Sequence, residues 1–199
     1  MIPPSATLAL SQYPRVPPMQ VIATPIPDVV AIEPAVYGDD RGFFFESFNL
    51  AAFTEATGVE RSWVQDNHSR SSRGVLRGLH FQKPRPQGKL VRCSAGSIFD
   101  VAVDVRRSSP TFLEWFGIEL SAQNHLQIWV PEGFAHGFFV TSDLAEVQYK
   151  TTDYYEPASE RGVLWNDPAL GIDWPIDGEP ILSDKDAVLP RAVDAELFD

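Results

Sequence analysis

Hydrophobic and polar residues alternate with a period of two over much of the second half of the chain. Within residues 99–106 the odd positions hold Phe or Val, and the even positions hold Asp, Ala, Asp and Arg. Leu, Ile and Val repeat the pattern within 126–130, before a Pro-Glu-Gly turn at 131–133, and segments 138–140 and 146–150 have the composition of further strands. Short strands separated by Gly, Pro, Asn and Asp turns, with almost no helical period, predict an all-β sandwich or barrel.

The first half of the chain adds a turn, an early strand and the best helix candidate. Residues 39–42 have turn chemistry, and the aromatic run over 43–48 favours a strand after the turn. A helix is predicted over 49–58, because LAAFTEAT has helical spacing, Asn49 suits the N-cap and Gly58 can end it. A second, short helix is expected near the end of the chain, in a region otherwise rich in loops.

Proline is concentrated at the start of the chain. Seven of the 17 prolines fall within residues 1–27, and proline is excluded from helix interiors and central strands. We therefore predict a proline-rich N-terminal arm over 1–27, extended and leading into the first strands, and a single catalytic domain over 28–199. A chain of 199 residues is long enough for one domain with a substantial core.

Composition and charge narrow the classes of function. The formal net charge of -11 and a sequence pI near 4.7 argue against a surface that binds nucleic acid or an anionic membrane. No apolar run approaches the roughly 18 residues of a membrane helix, and the first fourteen residues contain no Lys or Arg for a secretory signal. The single cysteine, Cys93, excludes an internal disulfide. We expect a cytoplasmic protein.

Residues 65–92 form a positive island in this acidic chain. The stretch holds His68 and His80, an amide pair at 65 and 67, and six Arg or Lys residues up to Lys89. Such a concentration predicts a basic pocket for an anionic small molecule, with His80 as the reactive group. A neutral imidazole is the usual general base near neutral pH, although on residue type alone a buried core histidine is the commoner case.

The sequence leaves the roles of several other candidate residues undecided. His80 and His136 lie on neighbouring predicted strands and could be metal ligands, but the partners that usually complete such a site stand at no telling spacing. We therefore predict no metal; the residues considered as additional ligands are His68, Glu46 and Asp100. Tyr149 is either a half-buried packing residue of a strand or an acid inside a barrel.

Strict alternation places Arg77 and His80 on opposite faces of one strand, although both belong to the predicted pocket. Gly78 lies between them and permits a β-bulge, which would bring both side chains to the same face. We therefore expect a bulge at Gly78.

Six segments of the chain form a series of long motifs. They are GDDRGFFFESFN (38–49), QDNHSRSSRGVLRGLHFQ (65–82), GKLVRCSAGSIFDVAVDVRRSSPTF (88–112), WVPEGFAHGFFV (129–140), YKTTDYYEPASERGVLWNDPALGIDWP (149–175) and LSDKD (182–186). In this order the segments resemble the dTDP-4-dehydrorhamnose 3,5-epimerase family, and the resemblance covers about residues 22–190. Several long motifs in one order are far more specific than a single motif.

The resemblance implies a cupin-type jelly-roll barrel with a few short helices, a homodimer, and no metal or organic cofactor. It implies an isomerase acting on dTDP-4-dehydro-6-deoxy-D-glucose, in the synthesis of dTDP-L-rhamnose for lipopolysaccharide or cell-wall polysaccharide. By matching position, His80 is the proton-abstracting base and Asp186 its carboxylate partner. Tyr149 is the acid on the opposite face of the sugar, and Lys89 lies near the C4 oxygen. The predicted substrate-binding residues are Arg41, Glu46, Gln65, Asn67, Arg77, His136, Glu160 and Lys185.

Three other functions remain open on sequence alone. A dTDP-deoxysugar mono-epimerase at C3 or C5, or a ketoisomerase, would use similar enolate chemistry in a similar pocket. A metal-dependent cupin oxygenase would bind stoichiometric metal. A non-catalytic module would bind the sugar nucleotide without proton exchange at C3 or C5.

Overall fold

The computed structural model describes residues 19–199, which contain thirteen β-strands and two short α-helices. The strands are β1 (Gln20–Ala23), β2 (Val30–Glu33), β3 (Tyr37–Asp39), β4 (Gly42–Phe44), β5 (Gln65–Ser72), β6 (Leu76–Gln82), β7 (Lys89–Ala95), β8 (Ser97–Asp104), β9 (Trp115–Ser121), β10 (Gln127–Val130), β11 (Phe134–Val140), β12 (Leu144–Thr151) and β13 (Glu160–Gly162). The helices are α1 (Leu50–Thr57) and α2 (Asp184–Ala187), with a 3₁₀ turn at Pro157–Ser159. No helix in this part of the chain is long and apolar enough to cross a membrane.

Most of the strands form two antiparallel sheets that face each other. The larger has the order β1-β2-β10-β7-β12-β5, the smaller has the order β13-β6-β11-β8-β9, and β3 and β4 form a separate hairpin. The core between the sheets takes Val91 and Ile128 from the larger sheet and Ile98 and Leu120 from the smaller one. The all-β prediction is confirmed, as two facing sheets within residues 19–199 rather than one closed ring of hydrogen-bonded strands.

The alternation predicted over 99–106 is present in β8, and both of its faces are buried. Val101 and Val103 pack on the outer side of the smaller sheet, beneath the C-terminal segment. The even positions face between the sheets, where Asp100 and Asp104 are each 0% exposed. Because a buried carboxylate is costly unless it is hydrogen-bonded or paired, each of these aspartates requires a partner.

Helix α1 confirms the prediction for 49–58. Asn49 caps its start by accepting a hydrogen bond from the Ala52 backbone N–H at 3.2 Å, and Gly58 ends it with a φ of 72°. Phe53 fixes the helix to the outer face of the larger sheet, through an edge-to-face contact with Trp129. The short helix expected near the end of the chain is α2.

The strand predicted over 43–48 is correct only at its start, because β4 ends at Phe44. The chain then crosses the larger sheet, where the side chain of Gln127 donates to the Ser47 carbonyl oxygen at 3.0 Å. The backbone at Ser47 is thus held by a side chain and not by pairing with a neighbouring strand. Aromatic composition indicated a strand but held no information about the residue that would pair with it.

Part of the predicted N-terminal arm lies in the sheet. Residues 20–23 form β1, which pairs with β2 at the edge of the larger sheet, and Ile26 is fully buried in the core. An edge is the position at which neighbouring prolines are tolerated, because one side of the strand needs no partner. Residues 1–18 of the predicted arm lie outside the described residues.

A bulge in β6 determines which side chains reach the space between the sheets. In the ladder between β6 and β11, His80 pairs with His136 and Arg77 pairs with Phe138, so β6 uses one more residue than β11 over the same span. Gly78 lies at this point with a φ of 124°, in the region that favours glycine. The predicted bulge is confirmed, and Arg77 and His80 line the same cleft.

The bulge generates the first prediction. A Cβ at Gly78 would lie 2.6 Å from the Gly137 Cα and 2.8 Å from the His136 carbonyl oxygen, both backbone atoms that cannot easily move. We expect Gly78→Ala to lower the free energy of unfolding by about 2–5 kcal/mol, through backbone strain and overpacking. Urea denaturation followed by circular dichroism measures this change.

Gly178→Ala is the matched control, because Gly178 also has a positive φ, of 89°, but has open space around the added Cβ. The control should lose about 1 kcal/mol, from backbone strain alone. Equal losses in the two variants would show that the contact with β11 contributes nothing to stability.

Candidate active site

A cleft of about 620 Å³ opens between the two sheets and is bounded by α2 and the segment that leads into it. A neighbouring hollow of about 270 Å³ continues it and shares His80, Lys89 and Tyr149. The fold brings ten of the predicted site residues to these two spaces: Gln65, Asn67, Arg77, His80, Lys89, His136, Tyr149, Glu160, Lys185 and Asp186. They come from both sheets and from α2, so their convergence depends on the complete fold.

His80 and Asp186 form a tight pair at the cleft wall. Nε2 of His80 lies 2.6 Å from Oδ1 of Asp186, and because an ionised carboxylate only accepts, Nε2 is the donor. Nδ1 makes no hydrogen bond within residues 19–199 and is the basic nitrogen. Burial works against ionisation of Asp186, but the hydrogen bonds from His80 and the Ser183 hydroxyl hold its pKa below its usual range. This pair has the arrangement of a general base with an orienting carboxylate.

Lys89 brings a cation into the cleft from the start of β7. It is only 9% exposed, and its Nζ donates to the His80 carbonyl oxygen at 3.3 Å. Burial lowers the pKa of Lys89 to about 8, although the charges of Asp100 and Glu160 oppose that shift. An ammonium in these surroundings is held ready to stabilise negative charge that develops on a nearby oxygen.

Tyr149 faces the cleft from the sheet opposite His80. It lies on β12 in the larger sheet, in register with Asn67 of β5, whereas His80 lies on β6 in the smaller sheet. Burial raises the pKa of Tyr149, against a smaller opposing effect of Arg77. The phenol therefore keeps its proton at neutral pH and is available as an acid.

A second histidine–carboxylate pair lies beside the first. His136 is the cross-strand neighbour of His80, and its Nε2 lies 3.0 and 2.9 Å from the two oxygens of Asp100. On sequence alone, Asp100 was a candidate only as an additional metal ligand. Its position on the alternating strand 99–106, on the face that turns out to be the inner one, was the signal for a role in the site. Within residues 19–199 no group of three or more His, Cys, Asp or Glu residues is placed to hold a metal ion.

Polar and charged groups line the rest of the cleft. Arg77 donates to the Ser71 hydroxyl at 3.0 Å. The side-chain amide of Gln65 donates to the Asn67 side chain at 2.8 Å, and its side-chain oxygen accepts from the Tyr155 backbone N–H at 3.0 Å. These contacts align amide groups along β5, with the guanidinium of Arg77 further along the cleft.

Glu160 links Lys185 to Tyr155. Its carboxylate lies 2.6 Å from the Lys185 ammonium and accepts from the Tyr155 hydroxyl at 3.1 Å. Burial works against ionisation of Glu160, but the hydrogen bond from Lys185 keeps its pKa below its usual range. Tyr155 lines both spaces and was missed from the sequence. The pair of tyrosines at 154–155, shortly after the strand that carries Tyr149, was the available signal.

Arg41 and Glu46 lie outside the cleft. Arg41 is at the turn of the β3–β4 hairpin, where its side chain is 90% exposed and pairs with Asp39. Glu46 follows the hairpin and accepts from the Asn49 side chain at 3.2 Å. These two of the twelve predicted residues are therefore separated from the other ten within one chain.

The geometry supports proton transfer next to a carbonyl group. An imidazole stands on one sheet, a protonated phenol stands on the other, and a buried ammonium lines the same cleft. Such an arrangement can remove a proton from one face of a bound molecule, stabilise the enolate that forms, and return a proton to the opposite face.

Comparison with known proteins agrees with this chemistry. The family model described as dTDP-4-dehydrorhamnose 3,5-epimerase matches residues 23–194. The dTDP-4-dehydrorhamnose 3,5-epimerase of Shigella flexneri is 58% identical over 181 residues, which is 90% of this chain and 99% of that protein. The corresponding Pseudomonas aeruginosa protein is 58% identical over 180 residues, with the same two coverages.

A solved structure gives the same result in three dimensions. The dTDP-6-deoxy-D-glucose-3,5-epimerase of Legionella pneumophila, in complex with dTDP-4-keto-L-rhamnose, is 51% identical, with a TM-score of 0.87 over 88% of this chain and 94% of that chain. The predicted cupin-type jelly-roll fold is thereby confirmed. The family match and the identities together show that this chain belongs to the dTDP-4-dehydrorhamnose 3,5-epimerase family, a family of carbohydrate epimerases within the isomerase class.

Proposed function

We propose that this chain inverts C3 and C5 of dTDP-4-dehydro-6-deoxy-D-glucose to give dTDP-4-dehydro-L-rhamnose. The observation that carries the proposal is the placement of the His80–Asp186 pair and Tyr149 on opposite sheets, with Lys89 buried in the same cleft. Epimerisation needs this two-sided arrangement, because the proton must leave one face of a carbon and return to the other. The identity of the proposed substrate comes from the family relationship.

The chemistry starts from the C4 ketone, which acidifies the protons on C3 and C5. His80 takes a proton through Nδ1, and the electron pair of the broken C–H bond delocalises onto the C4 oxygen as an enolate. Lys89 stabilises that charge, which is commonly the largest single contribution to catalysis. Tyr149 then donates its proton to the opposite face of the carbon. A positioned proton transfer of this kind accelerates a reaction by about 10²–10⁴-fold.

The cations along the cleft suit the nucleoside diphosphate. The guanidinium of Arg77 matches phosphate oxygens in bidentate geometry, and the Lys185 ammonium adds a point charge. Binding energy from these remote groups fixes the sugar ring between base and acid. A local positive surface of this kind also explains how a chain of net charge -11 accepts an anionic substrate.

Solvent exchange tests the function directly. Chelator-treated protein is incubated with the substrate in deuterated water, and the sugar is read by NMR. We expect deuterium at both C3 and C5 for the wild type and at neither carbon for His80→Asn. His68→Asn is the matched control, because His68 also pairs with a carboxylate, Glu146 at 3.0 Å, but on an exposed surface; it should exchange both protons.

Other outcomes of the same experiment point to other functions. Deuterium at a single carbon in the wild type would indicate a mono-epimerase, and the labelled position would identify which. Exchange at neither carbon, with the protein folded, would contradict the proposal and favour a binding module or a metal-dependent cupin.

The pH dependence of turnover tests the role of Lys89. Its ammonium is charged below a pKa of about 8 and loses the charge as the pH rises, so kcat should fall above about pH 8. We expect the fall to move to much higher pH in Lys89→Arg, because a guanidinium stays protonated. Steady-state rates, each normalised to the maximum of its own variant, give the midpoint.

Neither Cys93 nor Tyr149 explains a fall near pH 8. Burial raises the pKa of Cys93 to about 11, and that of Tyr149 also lies above its ordinary value. Lys83→Arg serves as control, because Lys83 bonds the Leu197 carbonyl oxygen away from the cleft, and it should retain the wild-type midpoint. A fall near pH 8 that persists in Lys89→Arg would remove Lys89 from this role.

We also propose that the enzyme works as a homodimer in which the hairpin completes the partner's cleft. The hairpin carries Arg41, with Glu46 just after it, and exposes Phe43 and Phe44 at 63% and 68%. Exposed adjacent aromatic residues favour a protein contact, and β1 lies at a sheet edge with Val21 and Ile22 exposed. Seating Arg41 of the partner subunit at the cleft would reunite the predicted site residues. A cytoplasmic location stays a prediction.

Mixing two defective variants tests this exchange of residues. Arg41→Ala and His80→Asn are each expected to be nearly inactive at low substrate concentration. In mixed dimers one site carries both defects and the other carries neither, so random re-association should restore about a quarter of wild-type activity. Activity no higher than the mean of the two separate variants would show that each chain supplies its own Arg41 or needs none.

A further inference from the structure

Asp100 lies beneath the cleft, fully buried on β8. Both of its oxygens face Nε2 of His136, and no other hydrogen bond reaches the Asp100 side chain within residues 19–199. The contact with His136 orients the carboxylate, and a buried carboxylate is further stabilised by a nearby cation.

Lys89 has the complementary requirement, because it is a buried ammonium without a close carboxylate. Its hydrogen bond goes to a backbone carbonyl oxygen, and among the described residues no acidic oxygen lies within ion-pair distance of its Nζ. Two anions act on it from further away, Asp100 on β8 and Glu160 on β13. Glu160 already pairs with Lys185 at 2.6 Å. This leaves Asp100 as the anion that Lys89 balances.

We propose that Asp100 is a positioning residue of the reaction, which fixes the ring of His136 and keeps the ammonium of Lys89 charged inside the cleft. The proposal rests on the proposed function for the identity of the reaction, and it adds a residue that touches no substrate. The hydrogen bond from Nε2 leaves Nδ1 of His136 to accept a bond from the sugar. The negative charge beneath the cleft favours the protonated form of Lys89, which burial disfavours.

The pH profile separates this role from a purely structural one. Asp100→Asn keeps the shape and can still accept from His136, but it removes the charge. We expect the alkaline midpoint of kcat to move down by about one pH unit in this variant, because an opposite charge has been lost near Lys89. The other ionisable groups around Lys89 are Glu160 on β13, His80 on β6, His136 on β11 and Tyr149 on β12, and all remain in place.

Asp104→Asn is the matched control. Asp104 is equally buried on the same strand and the same face, but its partners are Arg106, Ser109 and Thr111, outside the cleft. We expect this variant to lower the melting temperature and leave the midpoint unchanged. A uniform loss of kcat at every pH in Asp100→Asn, without a shifted midpoint, would overturn the proposal.

A second measurement needs no turnover. If Asp100 balances Lys89, removing the charge of Asp100 should cost less stability when the ammonium of Lys89 is already absent. Asp100→Asn should therefore lower the melting temperature more in the wild type than in Lys89→Gln.

Lys83→Gln, on the far side of the smaller sheet, should leave the effect of Asp100→Asn on the melting temperature unchanged. An unchanged effect in Lys89→Gln as well would show that Asp100 and Lys89 are not coupled. Deuterium exchange at C3 and C5 is scored separately in the wild type. Its failure counts against the proposed function, whereas an uncoupled pair counts against Asp100 alone.

Discussion

The backbones of β6 and β11 touch at two glycines, and the arrangement of the cleft depends on this contact. A Cβ on Gly137 would lie 2.6 Å from the Arg77 carbonyl oxygen, just as one on Gly78 would meet Gly137. Because neither strand carries a side chain there, β6 can hold an extra residue without separating from its neighbour. The extra residue turns Arg77 and His80 to the same side. One strand thereby carries both the residue proposed to bind the phosphates and the residue proposed as the base.

The two facing sheets allow side chains to approach a bound ring from both of its faces. Inversion at carbon needs a proton acceptor and a proton donor on opposite faces of a ring, and a sandwich presents side chains from two directions toward one space. The smaller sheet contributes His80 and His136, and the larger sheet contributes Lys89 and Tyr149. Burial changes the acidity of two of these groups, because it lowers the pKa of Lys89 and raises that of Tyr149. The same core that stabilises the fold therefore tunes the chemistry.

Much of this could be predicted from the sequence, but not all of it. The period of two in 99–106, the caps of α1 and the bulge at Gly78 are local features, and local features can be read from neighbouring residues. The strand over 43–48 was wrong beyond Phe44 because its neighbour in space is Gln127, a distant residue. The roles of individual site residues came from the resemblance to a family. The role proposed for Asp100 depends on the burial of both faces of β8, which the alternation of residues does not show by itself.

Asp186 reaches His80 from 106 residues further along the chain. The segment before α2 returns to the start of β6, where the Ile181 N–H donates to the Gly74 carbonyl oxygen and the Leu76 N–H donates to the Ile181 carbonyl oxygen. During synthesis from the N-terminus, the strands that carry His80, Lys89 and Tyr149 are all present before this segment emerges. The nascent chain thus has an imidazole before it has the carboxylate that orients it. Under the proposed mechanism, epimerase activity is therefore confined to molecules whose C-terminal segment has been made and folded back.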